Sequence, residues 1–131
     1  MKTSEVFSVN IVGANTKRVY TGEFTTKTTT TMKDEFASDL KRRQVIGPSP
    51  DGTPPSANLQ WQAYMIGQLF VKLTDAPKWW QDSNGGLDLE DMNVITEVYN
   101  AVLEAEDKVI KALDAESEEA LEKLKAPPKK K

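Results

Sequence analysis

Residues 5 to 12 alternate, with Phe7, Val9 and Ile11 on one side of the chain and Ser8 and Asn10 on the other. A period of two marks a strand with one buried face. Turn chemistry follows at Gly13-Ala14-Asn15-Thr16-Lys17. Residues 18 to 28 then resume with Val19, Tyr20, Phe24 and a series of threonines, β-branched residues suited to a pleated surface. The spacing predicts a β-hairpin over residues 5 to 28. A lone hairpin is marginal in water, so this one must lie on helices, gain strands from elsewhere or pair with another chain.

The hydrophobic period then becomes helical. Thr31 with Asp34 and Glu35 supplies an N-cap followed by acids in the first turn. Met32, Phe36 and Leu40 recur every four residues on one stripe, and Gly47-Pro48 is a stop signal. Residues 47 to 55 contain four prolines and two glycines, which predicts a stiff, extended connection, with a proline-rich ligand motif as the alternative.

A second helix is expected to begin near Pro54 or Ser56. Leu59, Ala63, Ile66, Phe70 and Leu73 share one face, while Trp61, Tyr64, Met65 and Leu69 make the neighbouring faces apolar. A helix apolar over most of its circumference is buried in its own fold or covered by a partner. Asp75-Ala76-Pro77 is the predicted end, because proline restricts the residue before it and lacks a donor.

After the loop Asp82-Ser83-Asn84-Gly85-Gly86, a third helix is expected to open with Asp88 as cap and Asp91 in its first turn. Its stripe of Ile95, Val98, Val102, Ala105, Val109 and Leu113 fits either a core face or a helix-pairing seam. Beyond Asp114 the chain is rich in Glu and Lys, with Leu121 and Leu124 its only large apolar residues. This predicts a weak, exposed terminal helix ending at Ala126-Pro127-Pro128. The expected architecture is α+β: an N-terminal β-hairpin, three main α-helices and a weak charged C-terminal helix. Residues 1–113 form a single domain and 114–131 a charged extension.

Composition narrows the chemistry. The 131 residues include no cysteine and no histidine. Disulfides, thiolate sites, a Cys nucleophile and the usual imidazole base or ligand are therefore missing. No GxxxxGK[ST] phosphate loop is present. Asp82, Asn84, Asp88 and Glu90 alternate as calcium-loop ligands do, but Gly86, Leu87 and Asn93 occupy positions where that loop needs other residues. These acids read instead as a capping loop. The net charge is −3, and neither Lys41-Arg42-Arg43 nor Lys129-Lys130-Lys131 makes a basic stripe for nucleic acid. The start of the chain lacks the apolar core of a signal peptide, and no apolar run is long enough to span a bilayer. A non-enzymatic cytosolic protein is expected, without cofactor or metal, and without nucleic-acid or membrane partners.

Contact with other proteins is the remaining function class. The aromatic candidates for an interface are Trp79, Trp80, Trp61, Tyr64, Phe24 and Tyr20. Trp79 and Trp80 follow Pro77 directly. Both can pack the corner between helices, or one can stay partly exposed as an anchor. Adjacent side chains in an irregular segment rarely point the same way, so one in and one out is expected.

The order of these features resembles small morphogenetic proteins of tailed bacteriophages, in particular tail assembly chaperones and neighbouring structural proteins. The resemblance covers roughly residues 18 to 110. It is carried by Tyr20-Thr21-Gly22-Glu23-Phe24, by Arg42-Arg43 near a helix end, by Ala76-Pro77-Lys78-Trp79-Trp80, and by Leu87-Asp88-Leu89-Glu90-Asp91 ahead of Val94-Ile95 and Tyr99. It implies a factor that coats a tape-measure protein, or holds tail components, until tail-tube subunits polymerise. The implied partners are tape-measure, tail-tube or capsid subunits, in an oligomer or larger assembly in the bacterial host cytoplasm. Because such chaperones are often made in two lengths by ribosomal slippage, the ending Pro127-Pro128-Lys129-Lys130-Lys131 is expected to lie at a slippery site. Many tail chaperones are nearly all helical, and the hairpin departs from that pattern. The departure favours a virion component (capsid decoration, neck or tail protein) as the alternative, with a phage regulator of a host protein as a third.

Overall fold

The alternating segment does form a hairpin, β1 (Ser4–Val12) with β2 (Val19–Lys27), paired antiparallel so that Phe7 faces Phe24 and Ile11 faces Tyr20. The Phe7 and Phe24 rings stack with centroids 5.2 Å apart. The computed structural model describes residues 3–49 and 51–125, so the terminal Pro127-Pro128-Lys129-Lys130-Lys131 segment lies outside the described residues.

A third strand, β3 (Leu73–Asp75), pairs antiparallel with β2 and gives the order β1-β2-β3. Sequence periodicity had placed these residues at the end of the second helix, because Leu73 keeps step with its apolar face. That helix instead ends at Lys72, and the chain turns straight into the sheet.

Among the described residues four helices complete the fold: α1 (Met32–Ile46), α2 (Ala57–Lys72), α3 (Lys78–Asp82) and α4 (Met92–Lys125). Thr31 caps α1 through a reciprocal capping box with Asp34, Gly47 closes it, and Ser56 caps α2. Trp79 and Trp80, expected in an irregular segment, lie on the short helix α3. The expected weak terminal helix is not a separate element. No glycine or proline interrupts residues 92–125, so its turns continue α4 without a break.

α4 packs on β1 and β2, α2 on α4 and β3, and α1 mainly on α2. Phe24, Met65, Leu69, Val94, Val98 and Val102 fill the space between sheet and helices and are fully buried. Lys72 and Glu106, an ion pair 2.9 Å apart, tie α2 to α4 beside this core. α1 docks through few apolar contacts: Val45 reaches the core, and Ser38 is its one buried residue, seated against Gly67, where a Cβ would meet the Ser38 carbonyl at 2.5 Å. The Ser38 hydroxyl also accepts from Gln68 Nε2 at 2.9 Å. The α1 stripe therefore points the other way, leaving Met32, Phe36 and Leu40 71%, 69% and 56% exposed.

Candidate protein-binding surface

The six aromatic candidates separate into two groups, and no ring contact joins them among the described residues. The first group surrounds the corner after β3. Pro77 sits over Gly22, whose backbone has φ of 155° and whose missing Cβ would lie 2.7 Å from the Pro77 Cγ. That close approach lays α3 on β2. Trp79 Nε1 donates to the Thr21 carbonyl at 2.8 Å, and its ring stands 5.0 Å from Tyr20 and 5.7 Å from Phe24. Trp80 points inward, edge-on to Phe24 at 5.8 Å.

Trp80, Tyr20 and Phe24 are buried and Trp79 is half-buried. As interface candidates, Trp80, Tyr20 and Phe24 are corrected to core residues, since no partner reaches them while the fold is intact. Their aromatic area is already spent on joining hairpin to helices. Trp79 keeps one partly open face, but its polar atom is committed to β2.

The second group lies on the outer surface of the helices. Trp61 and Tyr64, three residues apart on α2, stack with centroids 5.6 Å apart and planes 15° from parallel. Both meet the edge of Tyr99 on α4, at 5.6 and 6.4 Å. Tyr99 is buried beneath them, and that burial, helped by the neighbouring Tyr64 hydroxyl, pushes its phenol up to about 12. Trp61 and Tyr64 themselves remain 47% and 40% exposed. One turn beyond Tyr99 comes Leu103, and two turns further Ile110, both exposed. The result is an exposed aromatic platform with two apolar residues along the same stripe of α4, where Glu106, paired with Lys72, comes between Leu103 and Ile110.

Sequence reasoning missed Asp91. Expected in the first turn of the third helix, with Asp88 as cap, it directly precedes α4 and is wholly buried, while Asp88 lies in the exposed turn before it. The carboxylate faces the hairpin loop. It accepts from the backbone N–H of Asn15 at 2.7 Å and of Thr16 at 2.8 Å, from the Thr16 hydroxyl, and from Tyr20 Oη at 2.8 Å. Gly13 leaves the room, because a side chain there would occupy the carboxylate's place. Burial opposes the charge, yet the donors from Thr16, Tyr20 and Asn15 outweigh it and hold the carboxyl well below the usual carboxylate range. The same contact, with burial, raises the Tyr20 phenol. Asn93 adds bonds to Ala14 N at 2.8 Å and Val12 O at 3.1 Å. This arrangement fastens the hairpin loop to the start of α4.

The acidic loop does not gather ligands: among the described residues no group of three or more acidic side chains is arranged to hold a metal ion. Nor is any helix among them long and apolar enough to cross a membrane. A cavity of about 250 Å³ opens between the end of α1, the start of α2 and the loop into α4, lined by Val45, Leu59, Ala63, Leu89 and Met92. Gln62 Oε1, at its wall, is buried and has no hydrogen-bond partner. No family model, no curated protein and no solved structure matches the chain.

Proposed function

We propose that the chain is a non-catalytic binding factor of tailed-bacteriophage assembly, acting as a tail assembly chaperone does by holding the tape-measure protein or another tail component in the host cytoplasm until it is built in. The observation that supports binding is the Trp61–Tyr64 platform with Leu103 and Ile110, large apolar groups turned outward on well-packed helices. Trp and Tyr give broad contact area at low entropic cost, which is why they anchor interfaces. A chaperone of this type needs surface of that character and no cofactor. The phage assignment rests on the ordered motifs between residues 18 and 110.

A virion component is the second reading, favoured by the outer edge of β1. The chain places β1 at the end of the sheet. Thr28 N donates to Thr3 O and Gly13 N to Arg18 O, so the odd-numbered residues of β1 face β2. The N–H and C=O groups of Ser4, Val6, Ser8 and Asn10 therefore point outward, while the Val12 carbonyl accepts from Asn93. Such an edge accepts a neighbour's strand.

Co-expression with the tape-measure protein of the same phage tests the first reading: the two co-purify, and Trp61→Ala with Tyr64→Ala abolishes the complex. Mass spectrometry of purified particles tests the second. Stoichiometric amounts of the chain in virions favour a structural component over a chaperone. Capture of a host protein alone favours a regulator.

A further inference from the structure

A second apolar surface lies away from the aromatic platform, on the outermost helix. Met32, Phe36 and Leu40 project from α1 on the side opposite Ser38 and Gly67, with Lys33, and Arg43 in its ion pair with Asp39, exposed among them. α1 packs mainly on α2, with Val45 reaching the core and Asp34 bonded to Lys27 of β2, and its outer face is left apolar. At the other end of the chain, α4 runs past the body: residues 114–124 are all exposed. This arm continues for about 16 Å, at 1.5 Å per residue. Leu121 and Leu124 share one side of it, 50% and 81% exposed. Its charge is opposite to that of Lys33 and Arg43, with Asp114, Glu116, Glu118, Glu119 and Glu122 against Lys123.

Both features sit at the same end of the molecule. Lys27, at the end of β2, bonds Asp34 in the first turn of α1 at 3.1 Å. Glu5, paired across the hairpin with Thr26, borders the cleft formed by Val109, Ala112 and Leu113, where the arm departs.

We infer that the chain forms a two-fold dimer by exchanging arms: residues 114–124 of each copy lie along the Met32–Phe36–Leu40 face of the other, acids of the arm against Lys33 and Arg43. A two-fold axis at this end lets each arm reach the other copy's α1. A single arm on a single helix engages far fewer than the ~20 residues a side of a stable interface, whereas reciprocal exchange doubles the contact and closes it. Proximity of α1 and the arm at one end makes the exchange isologous rather than an open chain of copies.

Size-exclusion chromatography with light scattering on the full chain reads the mass. The expected result is a dimer that becomes a monomer on Leu121→Glu with Leu124→Glu, and separately on Phe36→Glu, with helical circular dichroism unchanged. The chain has no cysteine. Phe36→Cys in one copy mixed with Leu124→Cys in another should therefore give a cross-linked dimer with a short bis-maleimide. A monomer at every concentration overturns the inference. So does a dimer that survives the leucine changes, which would point to pairing of α1 with α1.

Discussion

Tyr20 and Asp91, 71 residues apart in sequence, meet through a 2.8 Å hydrogen bond in the buried angle between the hairpin and α4. The bond is one of four that Asp91 accepts, and the other three come from the hairpin loop at Asn15 and Thr16. The loop's shape, and with it the seating of the sheet on α4, depends on one carboxylate. Replacing it with asparagine keeps the volume but turns an amide NH₂ toward donors. Asp91→Asn should lower the Tm by about 5–10 °C. Tyr20→Phe, which loses one bond, should cost about 1 kcal/mol in urea denaturation.

The same carboxylate sets the acid response. Its folded pKa lies below the ordinary value of about 3.9, so its contribution to stability is complete above about pH 4 and is lost as the pH falls below it. Asp34, bonded by Thr31 N–H and by Lys27, and Asp39, beside Arg42 and Arg43, shift the same way, but these surface groups are screened by solvent. The urea midpoint of the wild-type chain should therefore drop between pH 4 and pH 2. The gap to Asp91→Asn should narrow over that interval.

At alkaline pH the sign reverses. Tyr99 titrates at about 12 in the folded chain against about 10 unfolded, so its neutral form favours folding fully below pH 10. That stability is lost as the pH rises from 10 to 12. Tyr20, raised by Asp91, acts in the same direction. Absorbance at 295 nm should show tyrosine ionisation still incomplete at pH 11, finishing together with loss of helical signal. Complete ionisation by pH 11 with the fold intact would show that the Trp61–Tyr64 cover on Tyr99 is open.

Gly22 is predicted to be the least replaceable residue of β2. Alanine there meets Pro77 and must also hold a φ of 155°. Gly22→Ala should destabilise by roughly 2–3 kcal/mol and expose Trp79, seen as a red shift in tryptophan fluorescence.

Burial separates two phenylalanines that look alike in sequence. Phe24 is wholly buried, and Phe24→Ala should cost about 3–5 kcal/mol. Phe36, 69% exposed, should tolerate serine within about 0.5 kcal/mol in a monomer. A large loss of monomer stability at Phe36 would mean that α1 packs the other way round.

The hairpin and the caps of α1 and α2 were legible because alternation and capping are local. Phe7, Val9 and Ile11 turn to the core, as their spacing requires, and Thr31 with Asp34 closes its box within four residues. β3 was hidden because three residues carry no period of their own and Leu73 fits the preceding helix. The stripe on α1 was visible but its direction was not. Which side of a helix is covered depends on a contact such as Ser38 with Gly67, and that pairing leaves no hydrophobic signature. Asp91 was read as helix-start chemistry because its donors lie 71 to 76 residues away. Among the aromatic candidates, sequence could not distinguish Trp61 and Tyr64 from Phe24 and Trp80, since the type that anchors interfaces also fills cores. Accessibility makes that distinction.

The most direct measurement is the soluble fraction of the phage tape-measure protein, co-expressed with the full chain or with the Trp61→Ala, Tyr64→Ala pair. Because the two rings also cover Tyr99, circular dichroism and the urea midpoint of the variant separate loss of binding from loss of fold. Holding by the Trp61–Tyr64 platform predicts that the tape-measure protein stays soluble and co-elutes with the native chain, and that it aggregates with the variant. A tape-measure protein equally soluble, or equally insoluble, with both chains would contradict it.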